Sequence, residues 1–443
     1  MKDSGHDDAH DEPWPSPARA WYAIGILLIA FIFSFIDRSI IALLVEPIKN
    51  DLGISDFGIG LLQGLAFAIF YTLVGIPIGR LADRHSRRGI IAIGIFLWSL
   101  MTAACGLAKS FTGLFLARVG VGVGEAALSP SAYSMISDLF PRDKLGRALA
   151  VYQGGAFLGA GIAFIVGGMV IQALSRAGEV SLPLIGIVQP WQMVFFIVGL
   201  PGLIVALLML TVKEPARRGK IAGHDKGIPI GEVARYVRTN RRLFTSVFVG
   251  FALLAVPITT FLTWVPAYLN RVHGYSRGDT GLTLGLILLI FSPAGVYFGG
   301  WLSDQLQRRG HVDAPFRVGL IAAALLLPLS LFATTLSSTQ MTIALACPFV
   351  FCASIPIAAA PTTLQLVAPN QMRAQLSAVW MLSLNLISTG VGPTGVGFIT
   401  EYMLGDEMAV GLSVALVNCA SVPIGGLLLW MGIRPLREIR GAG

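Results

Sequence analysis

Charge is scarce in this 443-residue chain: Asp, Glu, Lys and Arg make up 13% of it, about half the share usual in soluble domains. With a mean hydropathy of +0.74, such a chain cannot solvate the surface of a water-soluble fold. Cysteine is scarce too. Cys105, Cys347, Cys352 and Cys419 show no Cys-x-x-Cys spacing, which argues against a zinc site or a disulfide framework and leaves them as packing residues. No Gly-x4-Gly-Lys-Ser/Thr loop occurs, and no polar stretch is long enough for a nucleotide-binding domain, which argues against an ATP-driven pump. There is no His-x4-Asp or Ser-His arrangement of the kind a membrane acyltransferase needs, so no enzyme activity, metal or cofactor is expected. The six histidines, His6, His10, His85, His224, His273 and His311, fall in termini or loops, against a histidine relay. The first twenty residues carry Asp and His rather than a basic start, and Trp21 opens an apolar run too long for a signal-peptide core, so no cleaved leader is expected.

What the chain has in abundance is apolar length. Hydrophobic residues make up 55% of it, and a membrane-crossing helix needs about 20 of them in succession. Twelve such segments are expected, near 21–48, 57–80, 89–108, 111–139, 146–173, 191–212, 243–270, 280–302, 317–336, 340–367, 374–403 and 408–432. The 51 glycines and 24 prolines suit membrane helices, where small residues let backbones approach and neighbours satisfy the carbonyls that proline frees. The expected fold is an all-α membrane protein.

The net charge of +8 is unevenly placed. Alternate connections hold Arg84, Arg87 and Arg88; Arg142, Lys144 and Arg147; Lys213 through Arg242; Arg308, Arg309 and Arg317; Arg373; and Arg434, Arg437 and Arg440. The others have only Lys49, Lys109, Arg176, Arg271 and Arg277. Basic loops stay on the cytoplasmic side, so both termini are expected there, and the basic balance reflects topology rather than nucleic-acid binding.

The sequence also repeats itself. Gly79-Arg-Leu-Ala-Asp83-Arg84-His-Ser-Arg87-Arg88 follows the second segment and Gly300-Trp-Leu-Ser-Asp304-Gln-Leu-Gln-Arg308-Arg309 follows the eighth, both Gly-x3-Asp-x3-Arg-Arg. Pro141 to Tyr152 aligns with Pro369 to Trp380, and the two offsets, 221 (83 to 304) and 228 (141 to 369), nearly agree. The chain therefore divides into a tail (1–20), a first six-helix bundle (21–212), a linker (213–242), a second pseudo-symmetric bundle (243–432) and a second tail (433–443), with a cavity expected between the bundles. In each repeated loop the glycine is expected to allow close helix approach, the aspartate to pair, and the arginines to hold the loop at the headgroups, as a gate element.

The loop from Gly79 to Arg88 resembles the signature loop of the major facilitator superfamily. Within it, Phe35-Ile36-Asp37-Arg38, Gly120-Val-Gly-Val-Gly124-Glu125-Ala126 and Ser137-Asp138-Leu139-Phe140 resemble the Spinster family of lysolipid and sphingolipid transporters, as a bacterial-type homologue. That resemblance implies a secondary transporter in the inner membrane, working by alternating access.

Charges within the apolar segments are few: Asp37, Arg38, Arg118 and Glu125, all in the first half. Each costs several kcal/mol unless paired or hydrated, so each is a functional candidate. Arg118 and Glu125 are seven residues apart and share a helix face, about 10 Å apart. Asp37 and Glu125 reach similar depth from opposite sides of the membrane. One four-residue cluster is expected, with Asp37 and Glu125 exchanging protons and Arg38 and Arg118 pairing with them or taking an anionic headgroup; the competing reading is a static salt bridge. Polar or amphipathic cavity-lining candidates are Tyr152, Gln153, Thr259, Thr263, Trp264, Tyr268, Tyr297, Gln365 and Asn385. The expected activity is proton-linked movement of a lysolipid or sphingoid amphiphile by a monomer in a lipid membrane. Two alternatives stand beside it: a drug or small organic-anion porter, and a non-transporting receptor or scaffold.

Overall fold

The computed structural model describes residues 14–82, 84–177, 180–182, 186–217, 230–369 and 372–441. Among them, twelve helices are long and apolar enough to cross a membrane: Pro17–Leu43, Asp56–Ala82, Arg87–Cys105, Phe111–Leu139, Lys144–Leu174, Pro190–Met209, Arg241–His273, Arg277–Arg308, Ala314–Phe332, Thr339–Val367, Gln375–Leu404 and Glu407–Ile439. They form the two six-helix bundles expected. The last helix continues to Gly441, two residues past the end of its span.

The segments begin and end by simple chemistry. Serine caps recur at helix starts: Ser55 accepts from the Gly58 amide, Ser86 from Gly89, Ser110 from Gly113, Ser276 from Asp279 and Ser338 from Met341. Each satisfies one of the amide donors that a helix start leaves unpaired. At the end of the seventh span Gly274 takes a left-handed conformation (φ 65°) that stops the helix and turns the chain into the eighth. A short hairpin, Val180–Leu182 against Gly186–Val188, antiparallel with Val180 opposite Val188, joins the fifth and sixth spans.

Twelve spans bring the first and last described residues, Trp14 and Gly441, to one face of the bundle, the terminal face. The two halves join at the opposite end. There Ile40, Leu44, Ile48, Leu62 and Phe164 of the first half lie in one buried cluster with Phe261, Trp264, Leu284 and Val410 of the second. Toward the terminal face the first half has its own separate cluster, including Ile24, Phe31, Trp98, Met135 and Tyr152. The halves thus share a core at one end and part at the other.

Two contacts make the joined end tight. In the fifth span a Cβ on Gly168 would meet the Arg277 carbonyl at 2.8 Å and Gly281 Cα at 3.0 Å, so the fifth and eighth spans touch backbone to backbone. In the eleventh span Thr394 Oγ1 donates to the Gly60 carbonyl of the second at 3.1 Å. The eleventh span is locally underwound into wide turns at Asn385–Val391 and Ile399–Leu404 around Pro393, an irregularity that proline and close packing produce.

The repeated loops are not equal partners. Arg87 is buried rather than held at the headgroups: it pairs with Asp138 and Glu214 and donates to the Ser134 and Pro215 carbonyls. Asp83 lies outside the described residues, and Arg84, Asp304, Arg308 and Arg309 are exposed. Nor do the repeated glycines bring helices together. Gly79 has only Pro130 within 4.0 Å of a built Cβ, and Gly300 has nothing.

In the second half the buried charge at the corresponding place is an acid. Asp313 bonds Arg317 and Arg437. The offsets from Arg87 to Asp313 (226) and from Glu214 to Arg437 (223) fall inside the repeat offsets, so the two halves carry the same clasp with its charges exchanged. Burial alone would raise the Glu214 carboxyl, but bonds from Arg87, the Arg88 amide and Ser86 hold it below its ordinary value of 4.5. Asp313 is likewise held below 3.8, against its burial, by Arg437 and Arg317.

Candidate functional site

The first, third and fourth spans bring the intramembrane charges of the first half together. Arg38 Nε donates to Glu125 Oε2 at 2.6 Å, and Ser34 Oγ, one turn earlier in the first span, donates to the same oxygen at 2.8 Å. Glu125 and Asp37 are 1% and 2% exposed. Asp37 points toward the third span, where Thr102 Oγ1 donates to Asp37 Oδ2 at 3.0 Å. Arg118 is buried and reaches the Asp37 backbone carbonyl at 3.2 Å rather than its carboxylate. The expected cluster is therefore present with one change: Arg38 pairs with Glu125, while Arg118 ties down the first span through its backbone.

Arg38 sits in an aromatic frame. Its guanidinium carbon lies 4.5 Å from the ring centroid of Phe67, 5.0 Å from Tyr71 and 5.1 Å from Phe35. Such faces stabilise a cation with little water around it. The Arg38 side chain keeps 22% of its surface exposed, whereas that of Glu125 keeps none. The cation is the member of the pair that an entering anion can reach. Among the described residues, Glu125 Oε1 and Asp37 Oδ1 are buried without a hydrogen-bond partner.

Tyr152 is fully buried, stacked on Phe31 at 4.6 Å and edge-on to Tyr133. Gln153 and Gln365 are exposed and Tyr297 is 79% exposed; Gln153 bonds Tyr133. In the seventh span Thr259 bonds the Ser388 carbonyl, Thr263 bonds the Thr259 carbonyl, and Trp264 Nε1 donates to the Pro393 carbonyl. Tyr268 donates to the Leu336 carbonyl, and Asn385 caps the Met381 carbonyl. Trp264 and Tyr268 are buried, 0% and 2% exposed, and pack the second half together instead of facing open space. The Thr259 and Trp264 bonds reach carbonyls of the irregular stretch around Pro393 and help to satisfy it.

Neither the aromatic frame nor the donors Ser34 and Thr102 stand out in the sequence. Phe67 and Tyr71, four residues apart, share a helix face, which is the one signal that could have singled them out. The joined end holds a second group of charges. Lys49, Asp56, Arg271, Glu46 and Glu407 look like ordinary loop charges, yet they form one network. Arg271 holds Asp56 in a two-pronged bond (2.7 and 2.7 Å) and Glu46 at 2.5 Å, while Lys49 bonds Asp56 at 2.6 Å and Glu407 at 2.8 Å. The network spans both halves and closes the joined end.

The sequence model of the Major Facilitator Superfamily matches residues 27–393. A solved structure described as a bacterial homolog of the human lysosomal transporter Spinster, in an inward-facing and unoccupied conformation, superposes with a TM-score of 0.82. It is 27% identical and covers 96% of this chain and 99% of its own. Among curated proteins, an MFS-type efflux pump of Mycolicibacterium smegmatis is 28% identical over 97% of this chain and 95% of its own length. The sphingosine-1-phosphate transporter SPNS2 of Xenopus tropicalis is 27% identical over 86% of this chain and 73% of its own. Twelve spans in two bundles, a matching family model and these relatives make the chain a member of the Major Facilitator Superfamily, similar in particular to Spinster proteins.

Proposed function

We propose that the protein is a proton-coupled secondary transporter that moves a lysolipid or sphingoid-type amphiphile by alternating access. The observation that carries the reading is the Arg38–Glu125 pair with Asp37 beside it, buried where the first and fourth spans meet. Burial and a nearby guanidinium act on a carboxyl in opposite senses, so a change of partner changes its hold on a proton. When an anionic headgroup engages Arg38, Glu125 loses its counter-ion and takes up a proton; when the headgroup leaves, Arg38 reclaims it. Asp37, held by Thr102 on one oxygen, is the second proton site. Arg118 positions the first span.

The basic loops support a cytoplasmic terminal face, and on that reading, in a bacterial inner membrane, the parted end is the inward one. The bundles 21–212 and 243–432, joined by the linker 213–242, would then rock about the cluster, each monomer supplying one complete pathway. The similarity of SPNS2 and of the Spinster homolog supports the lipid assignment. The similarity over nearly the whole chain to an efflux pump favours a second reading, export of a drug or small organic anion through the same cavity.

Uptake into proteoliposomes separates them. Labelled lysolipid, a small organic anion and a cationic drug are each offered with and without a pH gradient. Gradient-dependent lysolipid flux that Glu125→Gln and Asp37→Asn abolish, with binding retained, supports the proposal. Flux of the anion or drug alone would replace the substrate while keeping the coupling, and flux indifferent to both substitutions would refute the coupling.

A further inference from the structure

The chain enters the seventh span through a ten-residue helix, Ile230–Thr239, on the terminal face. Its apolar side is occupied by the protein itself. Val233 is buried, the Tyr236 hydroxyl donates to the Val367 carbonyl at the end of the tenth span (2.9 Å), and the Tyr236 ring meets Phe244 edge-on at 5.5 Å. Asn240 breaks the helix, its side chain bonding back to the Tyr236 carbonyl, and Arg241 begins the span. Arg235, Arg238, Arg241 and Arg242 are all exposed. At 3.6 residues per turn, Arg235 and Arg238 lie about 60° apart on the side opposite Val233 and Tyr236, and Arg241 and Arg242 follow beyond the break. Glu232 is the one acid between residues 230 and 242.

The position of this cationic face follows from connectivity. Arg241 opens an apolar membrane span, so a helix ending two residues earlier keeps its guanidinium groups within about 10 Å of the hydrocarbon edge, at headgroup depth. The helix cannot roll to bury the arginines, because Tyr236 and Val233 pin its other side. Guanidinium groups at that depth match lipid phosphates in charge and in their paired hydrogen-bonding geometry.

We propose that Arg235, Arg238, Arg241 and Arg242 form a docking surface for anionic phospholipid headgroups, through which the surrounding leaflet holds the linker helix against the tenth span. The Tyr236–Val367 bond connects this surface to the tenth span, which ends beside Arg373, itself bonded to the Gln365 carbonyl at 2.9 Å. Leaflet charge thereby bears on the parted end of the transporter, whatever the substrate.

The test uses the purified full chain in nanodiscs of phosphatidylcholine containing a small fraction of labelled phosphatidylglycerol, with retained lipid measured by native mass spectrometry. The parent is expected to enrich phosphatidylglycerol over phosphatidylcholine. R235Q/R238Q/R241Q/R242Q is expected to lose that enrichment altogether, since each cation near a membrane surface strengthens anionic-lipid binding several-fold and the four factors multiply. The same four positions changed to lysine should keep most of it. Arg238→Gln alone, a small surface change, should lower it by roughly threefold and serves if the quadruple variant fails to fold. Equal enrichment in parent and glutamine variants, or no enrichment in the parent, would overturn the proposal. Displacement of the lipid by millimolar inorganic phosphate would overturn the lipid assignment in favour of a soluble anion.

Discussion

At the scale of single residues, Glu125 is the centre of the account. It takes two donors, Arg38 and Ser34, on one oxygen and none on the other. Removing one partner of a buried pair costs more than removing both, because the survivor keeps its desolvation penalty. Arg38→Ala should therefore lower stability by roughly 2–3 kcal/mol, toward the low end for a buried pair since its side chain is partly exposed, whereas Arg38→Ala with Glu125→Gln should recover most of that loss. Melting temperatures of the three proteins in one detergent check this; a double variant no better than the single would show that the pair is not what holds Arg38. These charged residues were legible in the sequence because a charge within an apolar run is rare and costly. Ser34, Thr102, Phe67 and Tyr71 were not. Hydroxyls and aromatics are common in membrane helices, and these acquire meaning only from neighbours on other spans. Arg118 was recognised as buried and cavity-directed, but its grip on a backbone carbonyl, not a carboxylate, depends on side-chain reach that helix periodicity does not contain.

At the scale of elements, two features carry predictions. The first is the close contact of the fifth and eighth spans. Gly168→Val should prevent it, because the added carbon atoms would meet the Arg277 carbonyl and Gly281. The joined end should then open, and a cysteine placed at Gln172 should become more reactive to an impermeant thiol reagent, with unchanged labelling arguing against the contact as a closing element. The second is the pair of exchanged clasps, Arg87 with Glu214 and Asp313 with Arg437.

Because Glu214 and Asp313 are held below their ordinary values of 4.5 and 3.8, their contribution is complete above those values and is lost as pH falls through the lower folded-state values. Each contributes no more than about 1 kcal/mol, being partly solvated or paired with partly exposed arginines. Melting in detergent from pH 6 down to pH 3 should show an acid-side loss that shrinks in Glu214→Gln. A loss of the same size in that variant would remove Glu214 from the explanation. The spans themselves were legible to within a few residues, since length and apolarity dictate them. The clasps were not, because the repeated loop motif drew the eye to Gly79 and Gly300, which contact little. The buried partner in the second half lies four residues beyond its motif and has the opposite sign.

At the scale of the whole molecule, two bundles share a core at one end, part at the other and carry their intramembrane charges on one side only. The Asp56–Arg271–Lys49 network seals the shared end, so Asp56→Asn should weaken the seal and raise the population open at that face. Distances measured by paired spin labels across the seal should lengthen in the variant; unchanged distances would leave the hydrophobic contacts as the sole closure. The two-bundle plan was legible from the repeat, whereas the state of opening was not, since both states use the same sequence.

The central claim is that Glu125 couples proton movement to substrate movement rather than merely pinning two helices. It is tested most directly by comparing gradient-driven accumulation with substrate exchange at equal pH in proteoliposomes carrying Glu125→Gln. The account predicts that exchange persists while accumulation against a gradient disappears. Loss of both together, or survival of both, would contradict it.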